Sequence, residues 1–154
     1  MLRVLHRLTI VGVLLTNVAV ADDAKDEATQ RDHMRIEGTW QITALEISGN
    51  KSKAEDVKKL TVVNGDDGTW SVRAEGKEIS RGTSTIAPAQ KPKTIDFTSM
   101  EGGGKGEQFF GIYELRENVR TLCFAPSGKN RPTEFSSTPE NQHILVAFER
   151  VKAE

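Results

Sequence analysis

Thr39-Trp40-Gln41-Ile42-Thr43-Ala44-Leu45-Glu46-Ile47-Ser48 alternates apolar and polar residues through Trp40, Ile42 and Ala44, then shifts phase to Leu45 and Ile47. Period two marks a strand with one buried face. A phase shift inside one strand predicts a bulge or bend. The same period recurs downstream between turn residues. Leu60–Asn64 and Thr69–Ala74 flank Gly65-Asp66-Asp67-Gly68, a hairpin signature. Glu78–Ala87 is a longer, more polar strand, and Pro88 and Pro92 bracket the loop that follows. Lys93–Met100 alternates through Ile95 and Phe97, which turns Asp96 outward. Glu107–Arg116 and Val119–Ala125 flank the tight turn Glu117-Asn118. Pro126–Gln142 carries three prolines and reads as loop. His143–Val151 ends the pattern with Ile144, Val146 and Phe148 on one face. Ser52-Lys53-Ala54-Glu55 has capping-box spacing, so Asp56–Lys59 is expected to complete one or two helical turns.

These are eight strands with short connections. Strands adjacent in sequence usually pair, and an open eight-stranded sheet leaves exposed edges. The expected fold is therefore all-β, an eight-stranded antiparallel up-and-down barrel with at most one or two short helices. A β-sandwich is the alternative.

Upstream of the strands the chain changes character. Arg3 and Arg7 precede an uncharged apolar run, Leu8–Ala21, which ends Ala19-Val20-Ala21 before Asp22-Asp23. A basic start, a short apolar run and a small-x-small site describe a signal peptide over residues 1–21. The run is shorter than the roughly 20 residues that a spanning helix needs. No cysteine lies near the cut, which argues against a lipoprotein anchor. Residues 22–35 are polar and read as a tether or loose helix, and residues 36–151 form the barrel domain. The expected location is exported, periplasmic or extracellular, with no membrane span after cleavage.

Composition narrows the function. The chain has 154 residues and 21 basic against 22 acidic side chains. A nearly neutral balance excludes a nucleic-acid binder that draws its affinity from charge. One cysteine, Cys123, excludes a disulfide scaffold and a cysteine-rich zinc site. It sits in the apolar run Thr121-Leu122-Cys123-Phe124 and reads as a buried small hydrophobe.

Two features point to a known architecture. Gly38-Thr39-Trp40 opens the first strand and Arg150 ends the last, sharing a face with Ile144, Val146 and Phe148. This resembles the Gly-x-Trp signature of the lipocalin and calycin superfamily. The resemblance implies that Trp40 fills the closed end of the barrel and that the Arg150 guanidinium lies across its ring. Such a guanidinium can also reach backbone carbonyls. The chain is also similar to a family of uncharacterised exported lipocalin-like domains abundant in planctomycete bacteria. The matching segments are Gly38-Thr39-Trp40, Lys91-Pro92-Lys93-Thr94-Ile95-Asp96, Gly111-Ile112-Tyr113-Glu114-Leu115, Leu122-Cys123-Phe124-Ala125-Pro126 and Arg131-Pro132-Thr133-Glu134-Phe135. The final strand ending in Arg150 completes the match. One departure is the turn before Leu122, where the family usually has Gly-Asp and this chain has Arg116-Glu117-Asn118-Val119-Arg120. The family implies the fold and brings no reaction with it.

Candidate chemistry is sparse. His33 and His143 lack partners at metal-ligand spacing. Gly65-Asp66-Asp67-Gly68 has too few ligands for a dedicated calcium loop. Gly102-Gly103-Gly104-Lys105-Gly106 has the wrong spacing for a phosphate loop and joins two strands. Arg131 and Glu134 flank Pro132-Thr133 in the long loop. They brace that loop through an ion pair and side-chain–backbone hydrogen bonds, or they form a polar rim that selects an anionic ligand. No serine sits in a nucleophile elbow, and no metal or cofactor is called for. Trp40, Ile42, Val72, Ile95, Phe97, Ile112, Ile144, Val146 and Phe148 make up the expected inner face. Ile42, Val72, Phe97, Ile112, Val146 and Phe148 are the expected ligand-lining set, unless side chains fill the interior. The function expected is a non-enzymatic module holding a small apolar or amphipathic ligand. The alternative is a cell-envelope interaction module with a filled core, and a hydrolase ranks last.

Overall fold

The computed structural model describes residues 17–153. They form α1 (Asn17–Ile36), β1 (Gly38–Ile47), β2 (Asn50–Lys51), α2 (Ala54–Val57), β3 (Leu60–Asn64) and β4 (Thr69–Ala74). β5 (Lys77–Ala87), β6 (Lys93–Gly102), β7 (Gln108–Arg116), β8 (Val119–Phe124) and β9 (Ile144–Arg150) follow. From β3 to β9 each strand pairs antiparallel with its successor, β1 pairs with β3, and β9 pairs back to β1. The result is a closed, eight-stranded up-and-down antiparallel barrel of lipocalin-like form. β2 adds a two-residue strand at the far end of β1. Closure leaves none of the eight barrel strands with an open edge.

β1 carries the irregularity that its sequence announces. Ile42 pairs with Phe148, but Ala44 pairs with Ala147, so the register slips between Ile42 and Ala44. The extra residue restores Leu45 to the interior after Trp40 and Ile42, while Ala44 is exposed. Ile47, which continues the phase of Leu45 in sequence, lies 46% exposed at the strand end.

Two local expectations change. α2 starts one residue late for a capping box: its N-cap is Lys53, and no side chain caps it. The helix is held from inside instead, by Val57 buried against Trp40, Ile42 and Phe148. Residues 22–35, expected as a tether or loose helix, all belong to α1. Its last turns dock on the barrel through Asp32 and Ile36, both buried. Residues 1–16, most of the expected signal peptide, lie outside the described part; residues 17–21 begin α1. Among the described residues no helix is long and apolar enough to cross a membrane.

Candidate functional site

The barrel is closed at the end where β1 starts and β9 finishes. Trp40 is fully buried there and donates its indole N–H to the Ile36 carbonyl at 2.7 Å. The Arg150 guanidinium lies over the indole at 4.4 Å from the ring centroid. It donates to the Glu37 carbonyl at 2.7 Å and to the Arg35 carbonyl. Gly38 sits at φ +114°, and a Cβ there would stand 3.0 Å from Arg150 Nη1. The glycine of the Gly-x-Trp pair thus supplies a backbone shape that side chains resist and space for the guanidinium.

α1 completes this closure. The Asp32 carboxylate, 3% exposed as a residue, accepts hydrogen bonds from Lys93 Nζ at 2.7 Å and from the Tyr113 hydroxyl at 2.8 Å. Arg35 stands 3.7 Å from its other oxygen. Burial, then the adjoining Asp32 carboxylate, hold the Tyr113 phenol well above its ordinary range, so it stays protonated. Ile36 packs beside Ile86 and Tyr113 beneath this network.

Above the floor lies a cavity of about 360 Å³, within the usual range for a small-molecule site. Ile36, Tyr113, Asn64, Ser84 and Arg120 border it toward α1. Val62, Val72, Ile95, Phe97, Leu122, Val146 and Phe148 form its walls. Leu45, Leu60, Ser80, Phe109, Phe124 and Ile144 border it toward the other end. Phe97, Phe109 and Phe124 form one aromatic cluster, with Phe97 stacked on Phe109 at 5.2 Å and edge-on to Phe124 at 4.9 Å. Trp70 joins it edge-on to Phe97 at 6.0 Å. Gly82 makes room for that indole, since a Cβ there would fall 2.5 Å from a Trp70 ring carbon.

Of the residues expected to line the interior, Ile42, Val72, Phe97, Val146 and Phe148 border the cavity. Ile112 does not. In β7 the inward residues are Phe109 and Tyr113, so Ile112 faces outward, opposite Cys123 of β8. It is nevertheless only 1% exposed, because the 126–142 loop covers this outer wall. That loop makes both faces of β7 apolar and hides the alternation in Gln-Phe-Phe-Gly-Ile-Tyr. Cys123 lies on the same outer face, donating to the Ser136 carbonyl at 3.4 Å, and burial pushes its thiol up.

Arg131 pairs with Asp96 at 2.5 Å, not with Glu134, and donates to the carbonyls of Ile95 at 3.1 Å and Gly111 at 2.7 Å. It therefore clamps the long loop to the outer wall of β6 and β7. Glu134 is exposed and, like Arg131, does not border the cavity. At the Gly65–Gly68 turn, Asp67 accepts from the Thr69 hydroxyl at 2.6 Å and the Thr69 amide at 3.0 Å. These bonds hold its carboxyl below the usual range and occupy it in turn geometry. Among the described residues no cluster of three metal-ligating side chains occurs.

The feature that sequence reading missed is Arg120. β8 runs Val119-Arg120-Thr121-Leu122-Cys123-Phe124, and its inward residues are Arg120, Leu122 and Phe124. The strand thus places a guanidinium inside the barrel. Arg120 is 6% exposed, with its guanidinium carbon 4.3 Å from the Phe148 centroid and 5.0 Å from that of Trp40. Its Nε has no hydrogen-bond partner, and no carboxylate pairs with it among the described residues. Burial, then the nearby charge of Arg150, pull its ionisation down to about 9. Stacking on a ring is worth about 2 kcal/mol when desolvated. A buried ion without a counter-charge costs several kcal/mol, and each unmet buried donor adds about 1–3 kcal/mol. The rings hold the guanidinium in place without meeting its Nε–H donor.

Fold and cavity together define a closed lipocalin-like barrel with a hollow, largely apolar interior. No family model, curated protein or solved structure matches the chain.

Proposed function

We propose that this chain is an exported, non-enzymatic binding module that holds a small apolar or amphipathic molecule inside its barrel. The observation that carries this reading is the interior cavity of about 360 Å³ with its aromatic and aliphatic walls. A protein interior is normally packed with few voids larger than a water molecule, so a space of this size inside a small barrel invites an occupant. The cavity also weakens the filled-core alternative, in which the barrel acts only through its surface. Export is supported by Arg3 and Arg7, the apolar run Leu8–Ala21 and the Ala19-Val20-Ala21 site. The resemblance to exported planctomycete domains points the same way.

Nile red, a neutral hydrophobic dye, tests the binding claim. Titrated into the purified barrel, it should brighten and shift to the blue with saturable, about one-to-one stoichiometry. Val72→Trp, which puts an indole into the cavity wall, should weaken that response while the fold is retained by circular dichroism. A dye response absent from the wild-type protein, together with solvent extracts of it that contain no small molecule, would overturn the reading.

A further inference from the structure

Six polar side chains border the cavity apart from the Trp70 indole: Asn64, Ser80, Ser84, Ser99, Tyr113 and Arg120. Four of them are satisfied within the protein. Ser80 donates to the Glu101 carbonyl, Ser84 to Gly68, Ser99 to Gly103, and Tyr113 to Asp32. Arg120 Nε and Asn64 Nδ2 are buried and have no partner. Both are N–H donors, and one carries a positive charge. Buried polar groups are nearly always satisfied, so whatever fills this space should bring acceptors and negative charge.

The strand geometry says how such a molecule would lie. Arg120 is the second residue of β8 and Phe124 is its last, and both face inward. The charge is therefore near the end closed by α1, and the Phe97, Phe109 and Phe124 cluster is further along the barrel. A single-chain amphiphile matches that arrangement, with its head at the floor and its tail among the rings. A carboxylate suits a guanidinium better than a spherical anion does, because the two planar groups can form parallel hydrogen bonds.

We infer that the barrel selects a monocarboxylate amphiphile of the fatty-acid class, its carboxylate seated on Arg120 and its chain running past Phe97 toward Phe109 and Phe124. This rests on the binding reading proposed above and adds the chemistry of the head group. A carboxylate bound beside the Arg120 guanidinium would favour its charged form and raise its ionisation from about 9.

The test compares dodecanoate with dodecanol, which differ only in the head group, by competition against Nile red at neutral pH and below their aggregation thresholds. For the wild-type protein dodecanoate should bind at least about tenfold more tightly, a difference of about 1.4 kcal/mol. In Arg120→Met the two should bind within about threefold of each other, with dodecanol no weaker than in the wild type. Equal affinities in the wild type would overturn the carboxylate assignment and leave the binding reading standing. Preference for dodecanoate that survives in Arg120→Met would place the anion elsewhere and equally overturn it. Failure of both compounds and of Nile red would overturn both claims. The wild-type comparison decides the matter even if the variant fails to fold.

Discussion

Arg120 concentrates the unusual physics of this chain. In the ligand-free protein it is a cation held between two aromatic rings with an unmet donor. Replacing a buried charge by an apolar side chain of similar length is often neutral or stabilising, and methionine adapts well to such gaps. Arg120→Met should therefore raise the stability of the ligand-free protein at pH 7 by about 1 kcal/mol or more. The gain should depend on pH. The unfolded chain keeps the Arg120 proton into the strongly alkaline range usual for arginine, whereas the folded chain releases it near 9. Between the two the unfolded state binds the additional proton, so raising the pH favours the folded state. Denaturant melts of both proteins from pH 7 to 10 should thus show the advantage of Arg120→Met shrinking as the pH passes 9. An advantage that stays constant across that range, or a variant less stable at pH 7, would contradict this view of Arg120. The residue was visible in sequence, since Arg120, Leu122 and Phe124 share one face by alternation. The eye is drawn instead to the continuous run Leu122-Cys123-Phe124, whose two faces are both apolar because the long loop covers the outer one.

Elements were legible to different degrees, for reasons that lie in what covers them. The eight barrel strands follow from alternation and turn residues because most have one face toward the interior and one toward water. β7 breaks the rule. Phe110 and Ile112 are outward residues protected by the 126–142 loop, and no local signal separates them from Phe109 and Tyr113, which point in. Arg131 holds that loop in place through long-range partners in β6 and β7, which a sequence read locally cannot reveal. α1 is the other case. Residues 20–27 are exposed, so the helix has no apolar stripe to announce its docking, which rests on Asp32 between Lys93 and Tyr113 and on the buried Ile36. Asp32→Ala should leave the Tyr113 hydroxyl and the Lys93 ammonium without their partner. A loss of about 1–3 kcal/mol is expected, the usual cost of orphaning a buried polar group. Amide exchange in the last two turns of α1 should quicken by at least an order of magnitude, while the barrel strands keep their protection. Unchanged melting and unchanged exchange in α1 would show that the network does not hold the helix.

At the scale of the whole molecule, sequence and structure agree on closure. The guanidinium of Arg150 and the indole of Trp40 meet where the last strand joins the first, and the bulge in β1 lets its inward face continue past Ile42. Sequence could not settle whether the interior was full. Half-buried positions such as Val72 and Phe97 look the same in sequence whether they touch each other or border a space. The volume depends on how far eight strands stand apart and on aromatic side chains that sequence did not assign to the inside, Trp70, Phe109 and Phe124. The proposed function therefore depends on a molecule entering that space. Its most direct test follows the methyl resonances of Ile42, Val72, Val146 and Ile112 while dodecanoate is added to the isotope-labelled protein. Ile42, Val72 and Val146 border the cavity, and Ile112 lies outside the wall, beneath the loop. Saturable shifts in the first three with Ile112 nearly still are the predicted result. A still interior, or shifts centred on Ile112, would contradict the account.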